Sequence, residues 1–251
     1  MRLIRAEFLK LTRSLAWVVV LVLPVVLVLV GSVMTLLDGQ PLDDGWHTLW
    51  MRSFVFYGLF PLPVGIAILA ALVWRPEHRG GNWNLLMSGT AGALRIIIAK
   101  TTVIAFLSAC MQVVALATVI ALGRVAFSLP GLPPAQYGVA FVLIMLSCVP
   151  VAALQSWLSM VMRSFAAPVA VSFVGAGLST AVLLVVGTIP IVFLSPYATL
   201  TRATQLGTAT FADSGSVTIA LVAVLTAGAI LLTATVTALQ TAVLARSDVR
   251  T

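Results

Sequence analysis

The chain has 251 residues, of which 61% are hydrophobic and 8% are charged, and its mean hydropathy is +1.15. A soluble domain carries about 25% charged residues, so this chain has too few polar side chains to cover a soluble fold. The composition excludes a soluble enzyme, a disordered chain and a disulfide-stapled secreted module, and it indicates an integral membrane protein. The net charge of +7 does not point to nucleic acid, because the sequence has no basic stripe interleaved with aromatic residues.

Residues 1–15 predict a short amphipathic helix that precedes the first long apolar run. Ile4, Phe8, Leu11 and Leu15 recur at helical spacing, and basic residues occupy positions between them. We expect this helix to lie in the cytoplasmic membrane interface. The alternative interpretation is a positive-inside anchor, and the two interpretations are compatible.

Six apolar stretches are each long enough to cross about 30 Å of hydrocarbon as a helix. None contains Asp, Glu, Lys, Arg or His, and none shows the alternating pattern of a transmembrane β-strand. The sequence therefore predicts an all-α integral membrane protein, with residues 16–251 forming one six-helix domain. The predicted spans are residues 16–37, 53–74, 101–123, 139–162, 164–189 and 217–245.

The distribution of basic residues predicts the orientation of these spans. Of the 14 Lys and Arg residues, Arg52, Arg124 and Arg202 fall in loops on one side, and the other eleven fall on the side of both termini. Because basic residues are retained on the cytoplasmic side, we expect both termini in the cytoplasm.

Two connections between spans are long. Residues 75–100 form the longer cytoplasmic connection. Residues 190–216 form a partly apolar outer connection that contains Pro190 and Pro196. We expect the outer segment to form either a short re-entrant helical hairpin or an interfacial loop.

Several kinds of chemistry are missing from the sequence. There is no phosphate-binding G-x-x-x-x-G-K-[ST] motif and no H-E-x-x-H, and His47 and His78 fall in loops on opposite sides of the membrane. Cys110 and Cys148 have no metal-ligand spacing and are interpreted as small apolar residues. We therefore expect no catalytic site, metal or cofactor on this chain, and any energy for transport must come from a partner.

Two stretches carry a resemblance to a known family. The first runs from Ile4 to Ser14 (IRAEFLKLTRS), and the second runs from Glu77 to Met87 (EHRGGNWNLLM) and ends in the IIIAK sequence of residues 96–100. With six spans in about 250 residues, the chain resembles the membrane subunit of an ABC-2-type exporter. It is most similar to the lantibiotic (bacteriocin) immunity permeases, which share the acidic-His, Asn-x-Trp-x-Leu-Leu and Ala-Lys patterns.

This resemblance implies an ATP-driven exporter in the inner membrane of a bacterial cell. It is built from two membrane subunits and two separate ATPase subunits, which bind ATP and Mg²⁺. The second membrane subunit is another copy of this chain or a related permease. The cytoplasmic connection is then expected to dock into the ATPase through a short coupling helix, N-capped by Asn82. The residues expected to serve this coupling are Glu77, His78, Asn82, Trp83, Leu85, Leu86 and Met87. Residues 89–93 (GTAGA) depart from the family pattern, which has Pro and more basic residues there.

The resemblance also places spans one, two and five near the cargo path. Candidate path residues are Trp17, Met34, Phe54, Tyr57 and Phe60. Small residues in span five let helices approach closely, so Gly175, Gly177 and Ser179 are candidates for packing between permeases. Because the spans carry no charge, the expected cargo is an amphiphilic, peptide or lipid-like compound, exported in antimicrobial immunity or efflux. Two alternatives are a six-span solute-binding subunit of a vitamin importer and a lipid-handling protein without an ATPase.

Overall fold

The computed structural model describes residues 2–12, 14–38, 42, 44–79, 92–187, 193–209 and 214–248. The secondary structure in these ranges is helical, as the sequence predicts. Eight α-helices of at least ten residues account for most of it, and shorter helical turns lie between the second and third of the long helices. The long helices are α1 (Arg2–Leu11), α2 (Ala16–Asp38), α5 (Pro61–His78), α6 (Ala93–Val125), α7 (Ala135–Val161), α8 (Ala166–Val186), α9 (Pro196–Gln205) and α10 (Ile219–Asp248).

Five of these helices, α2, α6, α7, α8 and α10, are long and apolar enough to cross a membrane. A bent pair, Trp46–Leu59 followed by Pro61–His78, makes a sixth crossing if it is counted as one span. The chain is therefore a multi-pass membrane protein. Helix α6 has 33 residues and a length of about 50 Å, so it extends well beyond a hydrocarbon core of about 30 Å.

The second predicted span, residues 53–74, corresponds to this bent pair and not to one straight helix. Helix α3 (Trp46–Trp50), a π-helical turn (Met51–Val55) and α4 (Phe56–Leu59) precede a bend of 50° at Phe60. Pro61 and Pro63 cause the break, because neither has a backbone N–H to donate to the preceding helical turn. The bend changes the direction of the chain before α5 begins.

Helices α5 and α7 form the centre of the bundle. Helix α5 packs against α2, α6, α7 and α8, while α7 also contacts α9 and α10. The central helices bury large side chains such as Leu69, Trp74 and Ile144 completely. By contrast, the outward faces of α2, α8 and α10 expose Val, Leu and Ile side chains, as expected for surfaces in contact with lipid.

The outer connection contains a buried helix rather than a surface loop. All ten residues of α9 are buried, and this helix packs against α7, α8 and α10. The Ser195 side chain caps α9 by accepting from the Ala198 amide at 3.5 Å. The Tyr197 hydroxyl accepts a 2.6 Å hydrogen bond from the side-chain amide nitrogen of Gln155 in α7. This polar anchor fixes α9 inside the bundle.

Close packing around α9 requires glycine. A Cβ atom at Gly175 of α8 would lie 2.5 Å from the Tyr197 ring, and a Cβ at Gly58 of α4 would lie 2.5 Å from both Cβ and Cγ2 of Thr204. Neither neighbour is the flexible end of a long side chain, so the helices must separate to admit a methyl group.

We predict that Gly58→Ala destabilises the protein by about 1–3 kcal/mol because it overpacks the contact with α9. Gly138→Ala in α7 is the matched control, since its Cβ would meet no atom within 4 Å. The control is expected to be neutral or stabilising by about 0.5–1 kcal/mol. Thermal unfolding of the purified protein in detergent measures both effects, and equal midpoints for the two variants would contradict the prediction.

Candidate functional site

Four charged side chains meet where α1, the last turn of α5 and the second turn of α6 come together. Lys100 Nζ lies 2.9 Å from Glu7 Oε2 and 2.9 Å from Glu77 Oε1. Lys10 Nζ lies 2.6 Å from Glu7 Oε1 and 2.8 Å from Glu77 Oε1. Each carboxylate thus contacts both ammonium groups. We call these four residues the charge network.

The charge network is largely shielded from solvent. Lys100 is fully buried, and Glu7 and Glu77 are 4% and 3% exposed, whereas the Lys10 side chain is 41% exposed. Lys100 also donates to the Val73 carbonyl at 3.1 Å, and its ammonium lies 4.7 Å from the centre of the Trp74 ring. Formal charges cancel within the network, which makes its burial tolerable.

The two charged groups on α1 have shifted pKa values. Burial raises the pKa of Glu7, but the charge of Lys100 and the hydrogen bonds from Lys10 and Lys100 outweigh it, so this pKa lies below its ordinary value of 4.5. Burial lowers the pKa of Lys10, but its contacts with Glu7 and Glu77 prevail and raise it above 10.5. Both side chains are therefore charged at neutral pH.

A signal for this network exists in the sequence and was missed. In α1, Glu7 sits at helical spacing between Ile4 and Leu11 on the apolar stripe. Lys100 likewise continues the buried stripe of Ile97 and Ile104 in α6. A charged residue on an apolar face requires a partner when buried, so opposite charges on three such faces predict a meeting point. Sequence reasoning singled out Glu77 alone, as a coupling residue, and did not predict its burial against Lys10 and Lys100.

A second polar contact ties the same end of α5 to α7. The His78 Nε2 atom lies 2.7 Å from the Ser159 carbonyl, so the ring donates to the backbone at this nitrogen. Of the residues predicted to couple to an ATPase, the structure therefore brings Glu77 and His78 into contacts within the chain. The other five, Asn82, Trp83, Leu85, Leu86 and Met87, lie outside the described residues.

The predicted cargo-path residues occupy different environments. Phe54 and Tyr57 are fully buried. The Phe54 ring stacks on Trp50 with centroids 4.1 Å apart, and the Tyr57 hydroxyl accepts from Gln112 at 3.3 Å. Trp17 is 37% exposed, and Phe60 contacts the Phe173 ring of α8. The side chain of Met34 is not among those that the structure describes. In this conformation Phe54 and Tyr57 are core residues, and a role in the path remains a prediction.

The small residues of α8 contact other parts of the same chain. Gly175 faces Tyr197, and a Cβ at Gly177 would lie 3.2 Å from the Phe60 ring. The hydroxyl groups of Ser179 and Ser195 are hydrogen-bonded at 2.9 Å. These contacts give the small residues a role inside the subunit, while packing between two permeases stays a prediction.

We predict that Lys100→Met costs about 3–5 kcal/mol, because it leaves two buried carboxylates with one ammonium group between them. Arg95→Met is the control: Arg95 lies on the same helix but is exposed, and its replacement should cost less than about 0.5 kcal/mol. Denaturant unfolding in detergent measures the difference. A Lys100→Met protein as stable as the control would contradict the assigned ion pairs.

The charge network also predicts loss of stability in acid. Since the folded-state pKa of Glu7 is lowered, its stabilising contribution is complete above its ordinary value of 4.5 and is lost as the pH falls through the folded-state value. Glu7→Gln should lower the unfolding midpoint at pH 7 and flatten its decline toward pH 3. Parallel pH profiles for the two proteins would show that Glu7 does not contribute.

Comparison with known proteins agrees with this architecture. The model of a family described as "ABC-2 family transporter protein" matches residues 3–179, which run from α1 into α8 and include the whole charge network. No curated protein and no solved structure matches the chain. The match covers more than half of the sequence and agrees with a bundle of five or six candidate spans. The chain therefore belongs to the ABC-2 family of transporter proteins, as a multi-pass membrane permease.

Proposed function

We propose that this chain is the permease subunit of an exporter driven by a separate ABC ATPase. Two ATPase subunits bind ATP and Mg²⁺ on the cytoplasmic side, and a second permease completes the membrane part. The exported compound is amphiphilic, a peptide or a lipid-like molecule, and its removal serves antimicrobial immunity or efflux. The observation that carries this proposal is the charge network on the helices that precede and follow residues 80–91 in the chain.

The charge network lies on both flanks of the proposed coupling segment. Glu77 lies in the last turn of α5, three residues before position 80, and Lys100 lies on the helix that starts at Ala93, just after position 91. Their ion pair joins the two flanks at 2.9 Å. A force applied to residues 80–91 by a partner is therefore delivered to α5 and α6 together, and through Glu7 and Lys10 to α1.

Two features support a cytoplasmic location for this region. Eleven of the 14 basic residues belong to the predicted side that includes α1 and residues 75–100, as the positive-inside rule requires. The opposite end of α5 begins at the bend, and the helical turns just before the bend carry Tyr57 and Phe54, which are fully buried in the apolar bundle. A displacement of α5 that starts at its charged end would be transmitted along the 18 residues of this helix to the bend at Phe60.

The charge pattern supports an amphiphilic cargo. The predicted spans contain no ionisable residue, so they offer no ion-coupling site of the kind that proton- and sodium-driven carriers place near the midplane. Besides the charge network and Arg202 of α9, the buried polar side chains of the described residues are neutral amides and hydroxyls, such as Gln112, Gln155 and Tyr57. Neutral donors and acceptors beside aromatic rings suit a molecule with both apolar and polar parts.

The ATPase partnership is tested by purification of the tagged chain from its native membrane in mild detergent. We expect co-purification of a soluble subunit with a Walker A motif, together with a second permease chain, either identical or related. Recovery of the chain alone, under conditions that preserve known transporter complexes, would contradict the proposal and favour a lipid-handling protein without an ATPase.

The coupling role of residues 80–91 is tested with Trp83→Ala/Leu86→Ala. Aromatic and aliphatic anchors supply much of the binding energy at protein interfaces, so we expect at least a tenfold loss of ATPase co-purification and of protection against the exported compound. Leu94→Ala is the control, since Leu94 is 48% exposed on α6 just beyond the segment. Unchanged membrane expression shows that the double variant is folded, and full retained protection would refute the assignment.

A further inference from the structure

We propose that a basic pocket at the α1 end of the bundle binds the phosphate group of an anionic membrane phospholipid. The pocket has a volume of about 230 Å³ and lies between the end of α5, the end of α7 and the start of α8. We call it the basic pocket. Arg75 and Arg79 line it from the α5 side, Arg163 from the α7–α8 connection, and Ser159 from α7.

The three arginines provide positive charge that the described protein does not neutralise. Arg75, Arg79 and Arg163 are exposed, and none forms an ion pair or hydrogen bond with another described residue. The nearby carboxylate of Glu77 is already held by Lys10 and Lys100. Residues 80–91, which continue from α5, include no Asp or Glu. An anion in this pocket would be attracted by the positive charge of these guanidinium groups and would accept hydrogen bonds from them.

Two further features of the pocket favour an anion. Helix α8 begins at Ala166, beside Ser164 and Phe165 of the pocket, and its N-cap Phe165 provides no side-chain hydrogen bond. The free amides and the helix dipole at such an end attract phosphate. In addition, the Ser159 hydroxyl is 2% exposed and has no hydrogen-bond partner. A buried hydroxyl without a partner is costly, and a phosphate oxygen would satisfy it.

The apolar part of the pocket indicates that the phosphate belongs to a lipid. Met162, Phe165 and Pro168 line the same space, and Phe165 is 46% exposed. The pocket also sits at the ends of three apolar helices, the depth at which phospholipid head groups lie. Basic pockets between transmembrane helices on the cytoplasmic side suit anionic head groups, and three unpaired cations favour these over zwitterionic ones. This inference is independent of the proposed ATPase partnership and of the cargo.

The test measures lipid binding by the purified, delipidated full chain in detergent. Native mass spectrometry reports the retention of phosphatidylglycerol and of phosphatidylcholine by the wild type and by variants. We expect phosphatidylglycerol to bind at least tenfold more tightly than phosphatidylcholine. Each single Arg→Gln change at the three pocket positions should weaken phosphatidylglycerol binding about fivefold, and the triple change about a hundredfold, at about 1 kcal/mol for each cation.

Arg246→Gln is the matched control, because Arg246 is an exposed cation near the end of α10 and does not line the basic pocket. It should leave binding unchanged, whereas Ser159→Ala should weaken it without altering the net charge. Circular dichroism verifies that each variant is folded. Equal binding of both lipids, or equal losses in the triple and Arg246 variants, would overturn the proposal. Displacement of bound lipid by millimolar inorganic phosphate or glycerol 3-phosphate would show a soluble phosphate site instead.

Discussion

The arrangement of this permease depends on a network of four charged side chains, three of which are buried. Removing Glu7, Lys100 or Glu77 from water is unfavourable, and the structure compensates by giving each carboxylate contacts with two ammonium groups. Because the members come from α1, α5 and α6, no two of these helices can separate without exposing an unpaired charge to the apolar bundle. The geometry of the α1 end follows from that constraint.

At the other end of α5, close steric packing rather than ion pairing fixes the positions of the helices. The short helix α9 is inserted among α7, α8 and α10, and it fits because Gly58 and Gly175 carry no side chain. The bend at Phe60 turns α4 toward this insertion. The two ends of α5 are therefore held in different ways, by ion pairs near Glu77 and by a proline break with close steric contacts near Pro61.

The sequence predicted the helical class and most of the spans, because uninterrupted apolar runs of about 20 residues have few alternatives in a membrane. It did not predict the bend in the second span, although Pro61 and Pro63 mark its position in the sequence. It also did not predict the burial of α9, because that burial depends on contacts between distant segments. The sequence analysis recognised the small size of Gly175 and Ser179 but not their contacts within the chain. Gly175 packs against Tyr197, and Ser179 is hydrogen-bonded to Ser195. The charge network was missed because each member was interpreted within its own segment, although Glu7 and Lys100 both interrupt apolar stripes.

The wide separation of the network along the chain has a consequence for biogenesis. Glu7 and Lys100 are 93 positions apart, so α1 is synthesised long before its principal partner. Until α6 emerges from the ribosome and inserts, Glu7 has only its helical neighbour Lys10 to neutralise it, and α1 has only the Glu77 end of α5 to contact. Docking of α1 in its final position must therefore follow insertion of the third span. This docking consequently requires that the first half of the permease has been inserted correctly.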